Sequence, residues 1–219
     1  MSHPTPFVLT VDIGSTSVRA RILDAAIQPV EGGEHEIMRH PAPDGVEYPD
    51  QLAGAVEAVI ESALQHAGDA AREIGGVAMA TFVGNVMGVD ARGKPATALY
   101  TYAHAGAAAE VEELRELIDA DAAYEATGTP VHTSYQAPRL MWLKRNRPKE
   151  YSATAQWIDF GTWLYTRWFE TLDVPASHSV ASWSGMQDRN SLSWHRPTLD
   201  AIGLDEASLP KLADYDRPM

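Results

Sequence analysis

The sequence predicts an α/β domain in which helices pack on a mixed sheet. Residues 7–13 (FVLTVDI) form a nearly continuous apolar run, which is typical of a buried central strand. Residues 17–23 alternate apolar and polar side chains, which indicates a second strand, antiparallel to the first, with one half-polar face. Apolar residues then recur at helical spacing between Leu52 and Leu64. Two strands followed by an amphipathic helix favour a sheet covered by helices.

The later elements extend this pattern along the chain. The first helix has Asp50 placed to cap its start and Gly68 to end it. Beyond residue 173 the chain is expected to be irregular. The other expected elements are a third strand around 34–39, strands at 74–82 and 85–89, a turn at 90–93, helices at 111–118 and 138–146, and a strand at 157–160 that runs into a helix ending near 168.

We expect one domain over residues 1–219. Residues 196–219 have polar, proline-containing ends around a short helix, and this segment could lead into a hinge. The alternative is a small helical subdomain appended after about residue 105.

Composition limits the classes of partner. The chain has 219 residues, no cysteine and a formal net charge of −13. Such an acidic surface repels nucleic acid and anionic lipid. We therefore expect neither as a partner. The start has no basic segment followed by an apolar one, and no apolar run approaches the roughly 18 residues of a membrane span. These features suit a cytoplasmic protein. Because an acidic surface also repels nucleotides, any nucleotide site must be built locally from backbone N–H groups, a metal ion or one placed arginine.

The connection between the first two strands is the best candidate for such a site. An aspartate at the end of a buried strand has a fixed place and could hold Mg²⁺. The glycine that follows permits a tight turn, and the hydroxyl residues offer a run of backbone N–H groups that can form an anion nest. The arginine shares a strand face with the last serine and could act as a cationic clamp. The residues are Asp12, Gly14, Ser15, Thr16, Ser17 and Arg19.

The same residues also suit an ordinary β-hairpin turn. Spacing alone does not separate the two interpretations. The run lacks the G-K-[ST] of a Walker loop and does not match G-x-G-x-x-G.

A family resemblance favours the phosphate site. DIGSTSVRA resembles the first phosphate motif of the actin-like ATPase superfamily, in the form D-[IL]-G-[TS]-[TS]-S-x-[RK]-A of FGGY carbohydrate kinases. Four later segments resemble that family in order and spacing, and together they span nearly the whole chain: GGVAMATFVGNVMGVDARGKPATALYTY, TGTPVHTSYQAPRLMWLKRNRPKEY, WIDFGTWLYTRWF and SHSVASWSGMQDRNSLSW.

This resemblance implies a ribonuclease-H-like fold and transfer of the ATP γ-phosphoryl group to a sugar hydroxyl, with Mg²⁺. Asp12 would organise metal and water, residues 14–17 would face the γ-phosphate, and Arg19 would offset charge. The resemblance also implies that a C-terminal ATP-binding domain and the catalytic base are missing from this chain. A non-catalytic sugar-sensing module, and a hydrolase or chaperone-type ATPase, are the alternatives; a homodimer stays open.

The sugar-side motifs depart from the family. The family's Q-M-H-G or Q-R-E-T is FVGN at residues 82–85, and its W-x-D-x-R is YAHAG at residues 102–106. Altered donors and acceptors predict an altered substrate, with pentulose, hexulose, aldonate and polyol all open. His104 could instead be a partly buried residue with no role, and Tyr135 a packing residue. The predicted substrate-binding residues are Asn85, His104, Ser134 and Tyr135.

Two further groups have structural interpretations. Trp142, Trp163 and Trp168 fall at helical core spacing, which leaves Trp183 and Trp194 as the better candidates for stacking on a sugar. The run of acidic residues from 112 to 119 is interpreted as a solvated helix face. Asp188 is expected to cap or brace the chain rather than act as a base.

Overall fold

The computed structural model describes residues 6–214 and divides the chain into two compact units. The first comprises residues up to 41 and 48–82, and the second comprises residues 42–47 and those from 83 onwards. The last five residues of the predicted hinge segment lie outside the described residues. The prediction of one domain over residues 1–219 stays a prediction, and each unit is described by itself.

Helices and strands alternate along the chain. Short 3₁₀ turns lie at Gly68–Glu73, Ser182–Ser184 and Glu206–Ser208. In chain order the elements are β1 (Phe7–Ile13), β2 (Ser17–Leu23), β3 (Pro29–Met38), β4 (Val46–Glu47), α1 (Pro49–Ala67), β5 (Ile74–Thr81), β6 (Met87–Val89), β7 (Leu99–Tyr100), α2 (Ala108–Leu117), α3 (Ala120–Thr127), α4 (Gln136–Asn146), α5 (Pro148–Ala153), β8 (Gln156–Ile158), α6 (Phe160–Phe169), β9 (Ala176–Ser177), α7 (His178–Ala181), β10 (Gln187–Asp188), β11 (Ser193–Trp194), α8 (Arg196–Ile202) and β12 (Leu212–Ala213).

The first unit contains the predicted mixed sheet, with strand order β3-β2-β1-β5. β1 is antiparallel to β2 and parallel to β5, and β2 is antiparallel to β3. Strands β1 and β2 have the predicted bounds. Their apolar residues face each other across the pair: Val11 pairs with Ala20 and Leu9 with Ile22, and all four side chains are buried. The third strand is longer than the predicted 34–39.

Helix α1 packs on β2 and β3 through a buried apolar stripe that includes Leu52, Val56 and Val59. Its predicted N-cap was wrong. Tyr48 occupies the cap, the helix begins with a proline, and Asp50 lies in the first turn, where a negative charge favours the helix dipole. Gly68 ends the helix, as predicted.

Strand β5 lies at the edge of this sheet and, among the described residues, pairs with β1 alone. Its residues from Gly75 to Ala78 are exposed, with Val77 at 59%. The strand therefore presents an unpaired edge and apolar surface to solvent.

The second unit is built around α4, whose Leu140 and Leu143 pack into a core with Trp157, Met186 and Leu199. Its strands form two-stranded ladders: β4 with β7, β6 with β8, β9 with β12 and β10 with β11. Helix α4 begins two residues earlier than predicted, and β6 begins at Met87 instead of residue 85. Helices α3 and α5 were not predicted.

The end of the acidic run at 112–119 shows why α3 was missed. Asp119 does not lie on one continuous helix face, because α2 ends at Leu117 and the Asp119 carboxylate accepts the N–H of Ala122 as the N-cap of α3. The prediction of a single solvated face through Asp119 was therefore wrong at its end.

The segment beyond residue 173 is more ordered than predicted, with α8 and several short strands. Trp194 is buried and its indole N–H donates to the carbonyl of Pro210 at 3.0 Å, so its interpretation as an exception to packing was wrong. Trp183 is half-exposed. Asp188 accepts the backbone N–H groups of Asn190 and Ser191, which braces the turn as expected.

Candidate functional site

The turn between β1 and β2 is held from two sides. The Gly14 N–H donates to the Ser17 carbonyl at 2.9 Å, which closes the turn. Arg39, just after β3, donates its backbone N–H to the Thr16 carbonyl at 2.7 Å and a guanidinium N–H to the Gly14 carbonyl. The same guanidinium lies 5.1 Å above the ring of Phe82. Arg39 therefore fastens the turn, a role that the sequence did not reveal.

This geometry leaves two backbone donors of the turn without a protein acceptor. Within residues 6–214, the N–H groups of Ser15 and Thr16 donate to no backbone or side-chain acceptor. Ser15 is half-buried and Thr16 is exposed. Successive free N–H groups at a strand end are what an anion nest requires, so the turn fits phosphate oxygens.

Asp12 lies at the second-to-last position of β1, with its side chain 59% exposed. Its carboxylate is 3.8 Å from an Arg19 guanidinium nitrogen, which leaves oxygen atoms accessible. No group of three or more potential metal ligands occurs among the described residues. A single carboxylate still fits Mg²⁺, because this ion keeps several waters and takes its remaining ligands from phosphates.

Arg19 has a partner that the sequence did not predict. Its Nε donates to a Glu36 carboxylate oxygen at 2.7 Å. The nearby Ser17 hydroxyl and Arg19 both hold the pKa of the Glu36 carboxyl below its usual range, and Glu36 raises the pKa of Arg19. Because the Ser17 side chain is buried, hydroxyls toward phosphate would come from Ser15 and Thr16.

The predicted substrate-binding residues belong to the second unit. Asn85 is 1% exposed, and its side-chain oxygen accepts the N–H of Phe160, the first residue of α6, at 2.8 Å. Its backbone carbonyl accepts from the Gln136 amide at 2.8 Å. This geometry gives Asn85 a structural task, and its contact with substrate stays a prediction.

His104 lies in an aromatic cluster. Its ring centroid is 5.1 Å from that of Tyr100 and 4.7 Å from that of Trp142, in edge-on arrangements. A side chain at Gly106 would meet the imidazole, since a Cβ there would lie 2.8 Å from two ring atoms. His104 is buried and its Nδ1 has no hydrogen-bond partner in the described part of the chain.

Electrostatics keep this imidazole neutral. Burial lowers the pKa of His104, and the charge of Arg139 lowers it further, whereas Asp44 opposes both effects. A neutral imidazole can accept or donate one hydrogen bond, so the ring chemistry is compatible with a hydroxyl ligand.

Three segments that carry predicted substrate residues meet at one buried guanidinium. Arg139 is fully buried and donates to the carbonyls of Gly84 at 3.0 Å, Tyr100 at 3.2 Å and Thr133 at 2.9 Å. Burial lowers the pKa of Arg139 to about 10, which leaves it charged at neutral pH. Its Nε has no partner, and no carboxylate pairs with it among residues 6–214.

Gly84 shows how closely these segments approach. Its φ is +70°, and a Cβ there would lie 3.2 Å from the Tyr102 Cβ and 3.3 Å from the Ser134 carbonyl. Ser134 and Tyr135 are half-buried, and the Ser134 hydroxyl lies 3.1 Å from His132 Nδ1. The second unit therefore brings Ser134 beside Gly84, while the phosphate turn belongs to the first unit.

Comparison with known proteins identifies the family. The profile of the FGGY family of carbohydrate kinases, N-terminal domain, matches residues 7–216, and the chain belongs to this family. The gluconokinase of Bacillus licheniformis is 23% identical over 211 residues, which are 95% of this chain and 40% of that protein. The autoinducer-2 kinase of Photorhabdus laumondii is 29% identical over 206 residues, or 90% of this chain and 38% of that protein.

Solved structures confirm the predicted fold, a mixed α/β sheet with helices packed on it. The xylulose kinase from Rhodospirillum rubrum superposes with a TM-score of 0.85 at 21% identity, over 94% of this chain and 42% of that one. The gluconate kinase from Lactobacillus acidophilus gives 0.83 at 20% identity, over 94% and 42%. The chain thus spans about 40% of the length of the curated relatives it matches. None of the helices described is long and apolar enough to cross a membrane.

Replacing Arg139 tests the junction of the three segments. Arg139→Met would leave three buried carbonyls without donors, so the free energy of unfolding should fall by about 2–4 kcal/mol. Lys144→Met, on the same helix but exposed, removes the same charge and should change it by no more than about 0.5 kcal/mol. Urea unfolding of both variants measures the difference, and equal stabilities would contradict the junction.

The His104 environment predicts a pH dependence. Because burial holds the pKa of His104 below its usual 6.5, the unfolded chain binds this proton more readily than the folded one. Its contribution to stability should be fully present above about pH 6.5 and should be lost as the pH falls below that value. Urea unfolding between about pH 5 and pH 8 should show a weaker acid dependence in His104→Gln than in the wild type. His40→Gln, at an exposed histidine, is the control; the same loss of slope there would refute the assignment.

Proposed function

We propose that the complete protein transfers the γ-phosphoryl group of ATP to a hydroxyl of a sugar or sugar derivative, and that this chain is its sugar-binding N-terminal part. The observation that carries the proposal is the turn between β1 and β2. In a chain that belongs to a carbohydrate kinase family, it combines two free backbone donors, an exposed Asp12 and an adjacent Arg19.

The residues of the turn have separate tasks in this reaction. Bound MgATP would supply the phosphoryl group. Its metal ion would offset the negative charge that spreads over the phosphoryl oxygens. Asp12 would bind Mg²⁺ directly or through water. The backbone N–H groups of Ser15 and Thr16 would donate to phosphate oxygens, and Arg19 would offset negative charge. Since phosphoryl transfer needs mainly positioning and charge stabilisation, these tasks suit a rigid turn at a strand end.

The sugar would bind to residues of the second unit. Ser134, Tyr135 and His104 offer hydroxyls and a neutral imidazole, which can recognise sugar hydroxyls. Gluconokinases and glycerol kinase are among the relatives, but the residues at 82–85 and 102–106 differ from the family motifs. We therefore infer a substrate that differs from glycerol and xylulose, without naming it.

A C-terminal ATP-binding domain would complete the enzyme. Two observations support this part of the proposal. The region matched by this chain is 40% of the length of the gluconokinase relative. In addition, strand β5 presents an exposed edge and an exposed apolar face. The catalytic base would lie in that domain or at the hinge leading to it. A homodimer and a cytoplasmic location stay predictions.

One observation favours a second candidate, a sugar-sensing module without turnover. Where the family motif has an aspartate and an arginine, His104 and Gly106 instead pack into an aromatic cluster. The kinase remains the better proposal, because the phosphate turn with Asp12 and Arg19 matches the family motif.

Replacing Asp12 in the complete protein tests the kinase. Asp12→Asn keeps the size of the side chain and removes its charge, so kcat should fall by about 10²-fold or more. Asp69→Asn, at an exposed aspartate outside the turn, should behave as the wild type. ADP release is measured with a panel of ketoses, aldonates and polyols. No turnover by the wild type on any of them would favour the sensing module, and a kcat of Asp12→Asn within threefold of the wild type would exclude the role of Asp12.

The isolated 219-residue chain should transfer phosphoryl groups negligibly. Loss of a general base alone costs typically about 10²–10⁴-fold, and loss of nucleotide positioning adds to it. Weak sugar binding should persist, as isothermal titration with the best substrate of the complete protein can show. Turnover by the chain within tenfold of the complete protein would mean that its own residues, Asp12 or Asp188, include the base.

A further inference from the structure

Two rows of ion pairs cross the solvent-facing side of the first-unit sheet. In one row, Asp12 on β1, Arg19 on β2 and Glu36 on β3 are cross-strand neighbours. In the next row, Arg21 on β2 pairs with Glu34 on β3. Both rows place an arginine on β2 opposite a glutamate on β3, but on β1 the first row has Asp12 and the second has Thr10.

The first row fixes the direction of the Arg19 guanidinium. Its Nε donates to Glu36 at 2.7 Å, while Nη1 lies 3.8 Å from the Asp12 carboxylate. The guanidinium therefore bridges β2, with its Nε edge toward β3 and an Nη group toward β1. The terminal nitrogens are thus left on the side of Asp12.

The Glu36 carboxylate also lies near the end of the turn. The hydroxyl of Ser17, the residue at which the turn passes into β2, lowers the pKa of the Glu36 carboxyl, as Arg19 does. The carboxylate is therefore close both to the end of the turn and to the guanidinium two residues along the same strand.

We propose that Glu36 is a positioning residue of the kinase, which orders Arg19 so that its terminal nitrogens face the phosphoryl group held at the turn. This inference rests on the proposed function. A free arginine side chain has many rotamers, and ordering it in advance removes that entropy cost from the transition state, in which the guanidinium stabilises the transferring phosphoryl group. Glu36 uses the Nε edge and leaves the terminal donors for phosphate, which they can contact in pairs.

The second row provides a matched control. Arg21 Nε donates to Glu34 at 2.7 Å, the same length as in the first row, and the Arg21 and Glu34 side chains are both 46% exposed. For Arg19 and Glu36 the values are 42% and 40%. Arg21 also places a terminal nitrogen, Nη2, 2.6 Å from Glu34, so this pair uses a terminal donor that the first row leaves for phosphate. Glu34→Gln therefore removes an ion pair of similar length and exposure from the same sheet, away from Asp12.

The first measurement is steady-state kinetics of the complete protein. In Glu36→Gln, kcat should fall at least about tenfold, because small misplacements of a charged group cost up to about 10²-fold, while KM for MgATP changes by less than about threefold. Glu34→Gln should match the wild type in both constants. Equal kcat values for the two variants would overturn the proposal.

The second measurement does not depend on turnover. In the ¹⁵N-labelled complete protein, the Arg19 Nε–H signal should be protected from exchange in the wild type and in Glu34→Gln, and lost in Glu36→Gln. Inorganic pyrophosphate should shift this signal in the wild type and shift the Arg19 side chain less in Glu36→Gln. If the wild type transfers no phosphoryl group to any sugar, the proposed function fails, and the exchange protection of Arg19 together with its pyrophosphate response then decides whether Glu36 orders Arg19 for phosphate. An unchanged Arg19 signal in Glu36→Gln overturns the inference in either case.

Discussion

The Arg139 guanidinium donates to three backbone carbonyls that come from three separate stretches of the second unit, and each stretch carries residues predicted to bind substrate. Moving a cation from water into a protein interior costs several kcal/mol unless dipoles or counter-ions replace its hydration. Here backbone carbonyls replace it, and no carboxylate pairs with it in residues 6–214. Because the charge is stabilised only while all three carbonyls point inward, displacement of one stretch disturbs the other two.

The two units use arginine in opposite ways. Arg139 is inaccessible and holds the backbone in place, so its charge supports structure and has no surface to offer a ligand. Arg19 and Arg21 lie at half-exposed positions in ion pairs on a sheet face, where solvent screens the attraction and the pairs contribute little to stability. What an exposed pair can do well is limit the orientations of a side chain. This difference explains why the same residue type is a structural centre in one unit and a candidate phosphate contact in the other.

The sequence was most informative where burial alternates with strand or helix geometry. β1 was predicted to the residue from its nearly continuous apolar run, and β2 from apolar positions that repeat with the period of a strand buried on one face. β3 lacks that alternation, and its pairing with β2 shifts register between Arg21 and Leu23, so no local pattern could place Glu36 opposite Arg19. Arg139 was visible as an arginine on a helix, but its three acceptors lie up to 55 residues away in sequence.

Polar residues near the predicted sugar side were harder to interpret. Asn85 was singled out because it is polar among apolar neighbours, and that same feature suits a buried side chain that accepts the first N–H of α6. A sequence does not distinguish a polar group kept for a ligand from one kept for a distant backbone donor. His104 illustrates the reverse difficulty, since its burial came from two aromatic neighbours, one of them on α4.

The close approach of Gly106 to the His104 ring also constrains how this chain can diverge. The imidazole is enclosed by Tyr100 and Trp142, and a Cβ at position 106 would lie 2.8 Å from it. A side chain can return to 106 only if the ring at 104 is replaced, while a small residue at 104 leaves a void that glycine at 106 does not fill. The two positions are therefore coupled: a side chain at 106 requires a smaller residue at 104, and changing either position alone gives a poorly packed protein.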